Sequence, residues 1–104
     1  MAIADVTVIP IGTNTTSVSS VVAEIHRVLE DTEKEIKYEL TPMSTIIEGE
    51  LSVLLEIIKE IHEVPFKLGI NRVATNVRID DRRDKIVTME DKRNSVQSKM
   101  NSMK

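Results

Sequence analysis

The chain has 104 residues, enough for one domain with one core and too few for two, and at this length roughly 60 to 70 per cent of the unfolded surface is buried on folding. With 40% hydrophobic and 30% charged residues it reads as an ordinary globular protein, and no apolar run nears the roughly 20 residues that a membrane span requires. The net charge of -3 argues against a nucleic-acid partner, the absence of cysteine excludes disulfides and thiolate chemistry, and the opening residues lack the pattern of a signal peptide, so a cytoplasmic location is expected.

Ile3 to Ile11 alternates as a strand, with Ala4, Val6, Val8 and Pro10 on one side and Ile3, Asp5, Thr7, Ile9 and Ile11 on the other. Gly12 to Ser17 is rich in turn and cap residues. It opens onto Val18, Val21, Val22, Ile25, Val28 and Leu29, whose spacings of three and four make one helical stripe ending near Asp31 to Lys34. Ile36 to Leu40 and Ser44 to Gly49 form a hairpin around Thr41-Pro42-Met43. Glu50 starts a second helix with Leu51, Leu54, Leu55, Ile58 and Ile61 on its buried stripe, widened by Val53 and Ile57. Pro65 is expected to kink or interrupt its last turn, and Gly69 to stop it. Ile70 to Asp80 returns to a period of two.

The order strand, helix, strand, strand, helix, strand is doubled in the sequence itself, because Glu24-Ile25-His26 recurs as Glu60-Ile61-His62 at an offset of 36. Two such units with right-handed crossovers give an α+β, ferredoxin-like βαββαβ sandwich: a four-stranded antiparallel sheet with two helices on one face. The whole chain, 1–104, is then a single domain with its core at about 3–83. A weakly amphipathic C-terminal helix is expected at about 87–103, with Met89, Val96, Met100 and Met103 along it.

Helices on one face leave the other to water or to a partner, and Ile3, Ile9, Ile11 and one isoleucine of Ile46-Ile47 remain over. This points to a homo-oligomer assembled through its sheets, with Asp5, Thr7, Glu48, Asn76 and Arg78 as polar groups on the same mixed face, and a small-molecule pocket is expected there, at the sheet interface between subunits. Glu48 sits among Ile46, Ile47 and Gly49 and needs a partner, either an arginine such as Arg72 or Arg78 or a ligand. His26 and His62 flank helical stripes and read as structural, Asp80-Asp81-Arg82-Arg83-Asp84 as an ion-pair network, and no metal site is expected. No nucleophile has a base beside it, so an enzyme is not expected. RNA binding on the sheet is disfavoured because Tyr38 and Phe66 are the only aromatic residues.

The segments Val8-Ile9-Pro10-Ile11-Gly12, Pro42 to Gly49 and Arg72-Val73-Ala74-Thr75 with Ile79-Asp80-Asp81-Arg82 resemble the small thiamine-binding protein family related to YkoF. The resemblance runs from Asp5 to about Val96, and Thr45-Ile46-Ile47-Glu48-Gly49 is its most specific part. It implies dimers or tetramers, a homotetramer among them, and a thiamine or hydroxymethylpyrimidine ligand rather than a catalytic cofactor. Thr45 and Glu48 follow from the family motif. Thr7, Tyr38 and Asn76 follow from the assignment of strand faces. A module binding another metabolite such as an amino acid, and a structural or protein-interaction role without a ligand, are the alternative readings.

Overall fold

In the structure, a computed structural model that describes residues 1–13, 19–85 and 88–103, the elements follow the expected order. They are β1 (Ala2–Ile11), α1 (Ser19–Asp31), β2 (Ile36–Leu40), β3 (Thr45–Gly49), α2 (Leu51–Lys67), β4 (Arg72–Asp81) and α3 (Met89–Ser102). The sheet runs β2-β3-β1-β4 with every neighbouring pair antiparallel, which is the ferredoxin-like arrangement. From Asn14 to Val18, the expected loop cap and the start of the first helical stripe lie outside the described residues, as does Val87 at the start of the third helix.

Alternation along each strand sorts the side chains as the pattern demands. Ala2, Ala4 and Val6 of β1 and Ile47 of β3 are buried against Val21, Ile25 and Leu29 of α1 and Leu54, Ile57, Ile61 and Val64 of α2. Gly49 closes this layer at the end of β3, where a Cβ would stand 3.0 Å from the Glu35 carbonyl oxygen, so a side chain there would push the two segments apart.

Two expectations for α2 change. Its stripe is rotated: Ile57 is fully buried while Leu55 is 50% exposed. Both positions satisfy a helical period, and only the place where the sheet lies decides between them. The helix also continues through Pro65 to Lys67. The missing Pro65 N–H removes one bond, but the end is rebuilt beyond it: Gly69 N–H donates to the Phe66 carbonyl (3.1 Å) and Ile70 N–H to the Pro65 carbonyl (3.0 Å). Gly69 at φ 88° is the left-handed residue this paired closure requires.

The open face of the sheet is crossed by the start of α3. Lys92 Nζ reaches Asp80 of β4 (2.6 Å) and Arg93 Nη1 reaches Glu39 of β2 (2.8 Å), so the two ends of the contact lie on opposite outer strands. No residue of α3 is buried. The radius of gyration, 15.6 Å, exceeds the about 13 Å of a compact domain of this length, and the long dimension is 49 Å.

Candidate functional site

The sheet is uneven. β1 pairs with β4 from Ala2 to Ile11 but with β3 only from Ala2 to Val6, because β3 has five residues and β1 ten. Past Val6, no described strand runs beside β1 on the β3 side. A strand edge left in this way presents N–H and C=O groups that still need partners. Pro10 is tolerated there, since proline cannot donate to a ladder and is at home on an edge.

A cleft of about 260 Å³ occupies this end of the molecule. Val6, Val8 and Pro10 of β1, Val22 and Ile25 of α1, and Ile61 of α2 give it apolar walls, and the turn Thr41–Ser44 forms its rim. That turn is held locally: Thr41 N–H donates to the Ser44 carbonyl (2.9 Å), and the Thr41 hydroxyl oxygen accepts from Ser44 N–H (3.0 Å). Thr45 follows at once, buried, lining the cleft, and with no hydrogen bond to its hydroxyl among the described residues. The cleft therefore combines apolar walls, one hydroxyl and a strand edge. That combination suits a small flat molecule with polar atoms along one side.

The five residues singled out from sequence do not share one surface. Thr45 and Tyr38 stand on the helix-covered face, since they pair with Leu40 and Ile47 in the β2–β3 register and Thr45 is opposite Val6 in β1. Thr7, Glu48 and Asn76 stand on the open face, with Thr7 directly opposite Asn76. The cause is the pleat: successive residues point to opposite sides. Thr7 also borders the cleft, past the end of β3. The Tyr38 ring meets His26 edge-on at 5.4 Å between centroids.

Glu48 is 2% exposed, and its partner is neither Arg72 nor Arg78. Its Oε1 accepts the Met89 N–H at 3.3 Å, so the carboxylate sits at the N-terminus of α3, where helix dipole and unsatisfied N–H groups favour negative charge. Thr88 and Asp91 complete that terminus as a capping box. The Thr88 hydroxyl accepts from Asp91 N–H and the Asp91 carboxylate from Thr88 N–H, each at 3.0 Å. The backbone N–H of Thr88, with its hydroxyl second, holds the Asp91 carboxyl below the usual 3.8. Thr88-x-x-Asp91 is the sequence signal of this helix start, though not of its contact with Glu48.

Arg78 instead pairs with Asp5 at 2.9 Å, and the other oxygen of Asp5, Oδ1, is buried with no hydrogen-bond partner among the described residues. The charged exit forms the expected ion pairs, Arg82 with Asp84 and Arg83 with Asp81. His62 bonds the Thr75 hydroxyl at 2.6 Å and, like His26, belongs to the packing between a helix and the following strand. Among the described residues no cluster could hold a metal ion, and no helix is long and apolar enough to cross a membrane.

The sequence profile of the thiamine-binding protein family matches residues 4–97. The chain is similar to the UPF0045 protein YqgV of Bacillus subtilis, with 62% identity over 98 residues covering 92% of this chain and 94% of that one. It is similar also to a UPF0045 protein of Staphylococcus xylosus, at 50% identity over 103 residues with 97% and 96% covered. Among solved structures, the Methanocaldococcus jannaschii protein MJ1052 superposes with a TM-score of 0.82 at 32% identity, covering 92% of this chain and 95% of that one. With the fold and nearly the whole length in agreement, the chain belongs to the thiamine-binding protein family.

Proposed function

We propose that the protein is a non-enzymatic binding protein for thiamine or its hydroxymethylpyrimidine half, and that the cleft past Val6 takes the pyrimidine ring. The observation that carries this reading is the edge of β1 past Val6, which no described strand pairs, running beside the Thr45 hydroxyl inside an apolar cleft. An aminopyrimidine places a ring-nitrogen acceptor beside an amino donor on one edge. A strand edge offers the complementary C=O and N–H groups, and a hydroxyl can serve as donor or acceptor. The flat faces of the ring then lie against Val8, Val22 and Ile25.

Size supports one ring rather than the whole vitamin, because 260 Å³ falls below the roughly 300 to 1,000 Å³ of sites for drug-sized ligands. The cationic thiazolium is then left outside, against a chain of net charge -3. Thr45 is the side chain we place on the ligand and Thr7 borders it, whereas Tyr38 meets His26, Glu48 accepts the Met89 N–H, and Asn76 stands on the open face. Assembly through the open face is part of the same reading: Ile9 and Ile11 are exposed there, and Asp5 Oδ1 is an acceptor that a donor from a second copy would satisfy.

Calorimetry against thiamine, hydroxymethylpyrimidine and a panel of amino acids tests the proposal. Binding of a pyrimidine is expected, weakened about 2- to 13-fold by Thr45→Val, the loss of one net hydrogen bond. Silence from both pyrimidines overturns it, and heat from an amino acid alone moves the protein to the metabolite-sensing class.

A further inference from the structure

The edge of β1 beside the cleft is not a uniform row of polar groups, and Pro10 fixes how it is arranged. In an antiparallel pair, directly opposed residues alternate between those that exchange both N–H···O=C bonds and those whose groups turn the other way. Pro10 stands opposite Val73 in a ladder that continues to Ile11 and Arg72, yet it has no N–H to exchange. The Pro10–Val73 pair is therefore of the second kind. Ile9 and Ile11 give their main-chain groups to β4, and by the same alternation Val6, Val8 and Pro10 turn theirs toward the β3 side. Val6 meets Thr45 there, but Val8 and Pro10 lie past the end of that pairing.

Three main-chain groups then face the cleft, in the order Val8 N–H, Val8 C=O, Pro10 C=O. None of them has a hydrogen-bond partner among the described residues. Pro10 is buried and Val8 half-buried, both line the cleft, and main-chain groups so placed need a partner. The row is one donor followed by two acceptors. Any residue other than proline at position 10 would set a second donor between the two carbonyls.

Resting on the reading that this cleft takes a pyrimidine, we infer that the main chain of Val8 and Pro10 reads the edge of the ring, and that Pro10 is a specificity-determining residue that favours an amino pyrimidine over its oxo counterpart. In hydroxymethylpyrimidine the ring nitrogen, the amino group and the hydroxymethyl oxygen follow one another along one edge. That is an acceptor and two donors, the complement of the row in β1. The ring nitrogen and amino group use the N–H and C=O of Val8, and the rotatable hydroxymethyl arm leans toward Pro10 C=O, about 6.8 Å further along the strand. The oxo counterpart carries N–H in place of the bare ring nitrogen and C=O in place of the amino group, so each meets its own kind at Val8. Slid along by one group, it would bring its N–H to Val8 C=O. Its oxygen would then need the N–H that Pro10 lacks.

Calorimetry of the full chain tests this against three compounds: hydroxymethylpyrimidine, its oxo counterpart, and the analogue with methyl in place of hydroxymethyl. The oxo compound is expected to bind at least about 100-fold more weakly, because two groups in the cleft face their own kind, and the methyl compound about 2- to 13-fold more weakly. Pro10→Ala supplies the missing donor and should narrow the preference for amino over oxo by about 2- to 13-fold. The Val8 amide proton, followed by NMR in the unaltered chain, should move downfield when hydroxymethylpyrimidine binds. Equal affinity for the amino and oxo compounds, an unmoved Val8 amide, or an unchanged preference in folded Pro10→Ala overturns the inference and leaves the pyrimidine reading standing. Silence from all three compounds overturns that reading, and the inference with it.

Discussion

On the covered side of the sheet, Ile47 is fully buried in one cluster with Leu54, Ile57 and Ile61. On the open side the contacts are Arg78 to Asp5, Lys92 to Asp80, Arg93 to Glu39, and Glu48 to the first N–H of α3. Burying one isoleucine is worth about 1.5 to 3 kcal/mol, whereas an exposed ion pair contributes about 0 to 1 kcal/mol. The covered side therefore holds the fold together. Three of the four open-side contacts decide where α3 rests, and loss of that helix is expected to leave the domain folded.

The largest break in this comparison comes from the covered side. Ile57→Ala should cost about 2 to 5 kcal/mol, read as a lower urea midpoint for the whole domain. A loss confined to one helix would show that the core is not cooperative. On the open side, Glu48→Ala removes the carboxylate that receives Met89 N–H. It should change global stability by no more than about 1.5 kcal/mol while abolishing hydrogen-exchange protection at the start of α3. Unchanged protection would mean that the ion pairs alone hold the helix.

The smallest effect is set by pH. Because Asp91 is held below its usual 3.8 in the folded chain, the cap's contribution is complete above that value and is lost as the pH falls through the lowered one. Helical circular dichroism from α3 should therefore decline below about pH 3.8, and Thr88→Ala should reproduce part of the decline at neutral pH, about 1 kcal/mol of local helix stability. An α3 signal indifferent to acid and to Thr88→Ala would remove the capping box from the account.

Much of this contrast was legible in the residues. Alternation placed Asp5, Thr7, Glu48, Asn76 and Arg78 on one face, and the register agrees for all five. What was not legible depended on partners distant in sequence. The answer to Glu48 is a backbone N–H 41 residues away, which no side-chain chemistry announces. Pro65 is a local case: a helix-breaking residue is harmless where the amides of Leu68, Gly69 and Ile70 close the end around it. The cleft went unread because Val6, Val8, Val22 and Ile25 look like core residues. Its signal was a mismatch of lengths, ten residues in β1 beside five in β3.

That mismatch has a mechanical consequence. Among the described residues the sheet from Thr7 to Ile11 consists of β1 and β4, and a two-stranded ribbon takes up more right-handed twist than a wider sheet. The width of the cleft would then depend on how far this ribbon coils, and a molecule seated along β1 would act as a short third strand that stiffens it. Occupancy would be felt at Arg72 and Val73, on the far side of the ribbon, as a change in the shape of the edge itself.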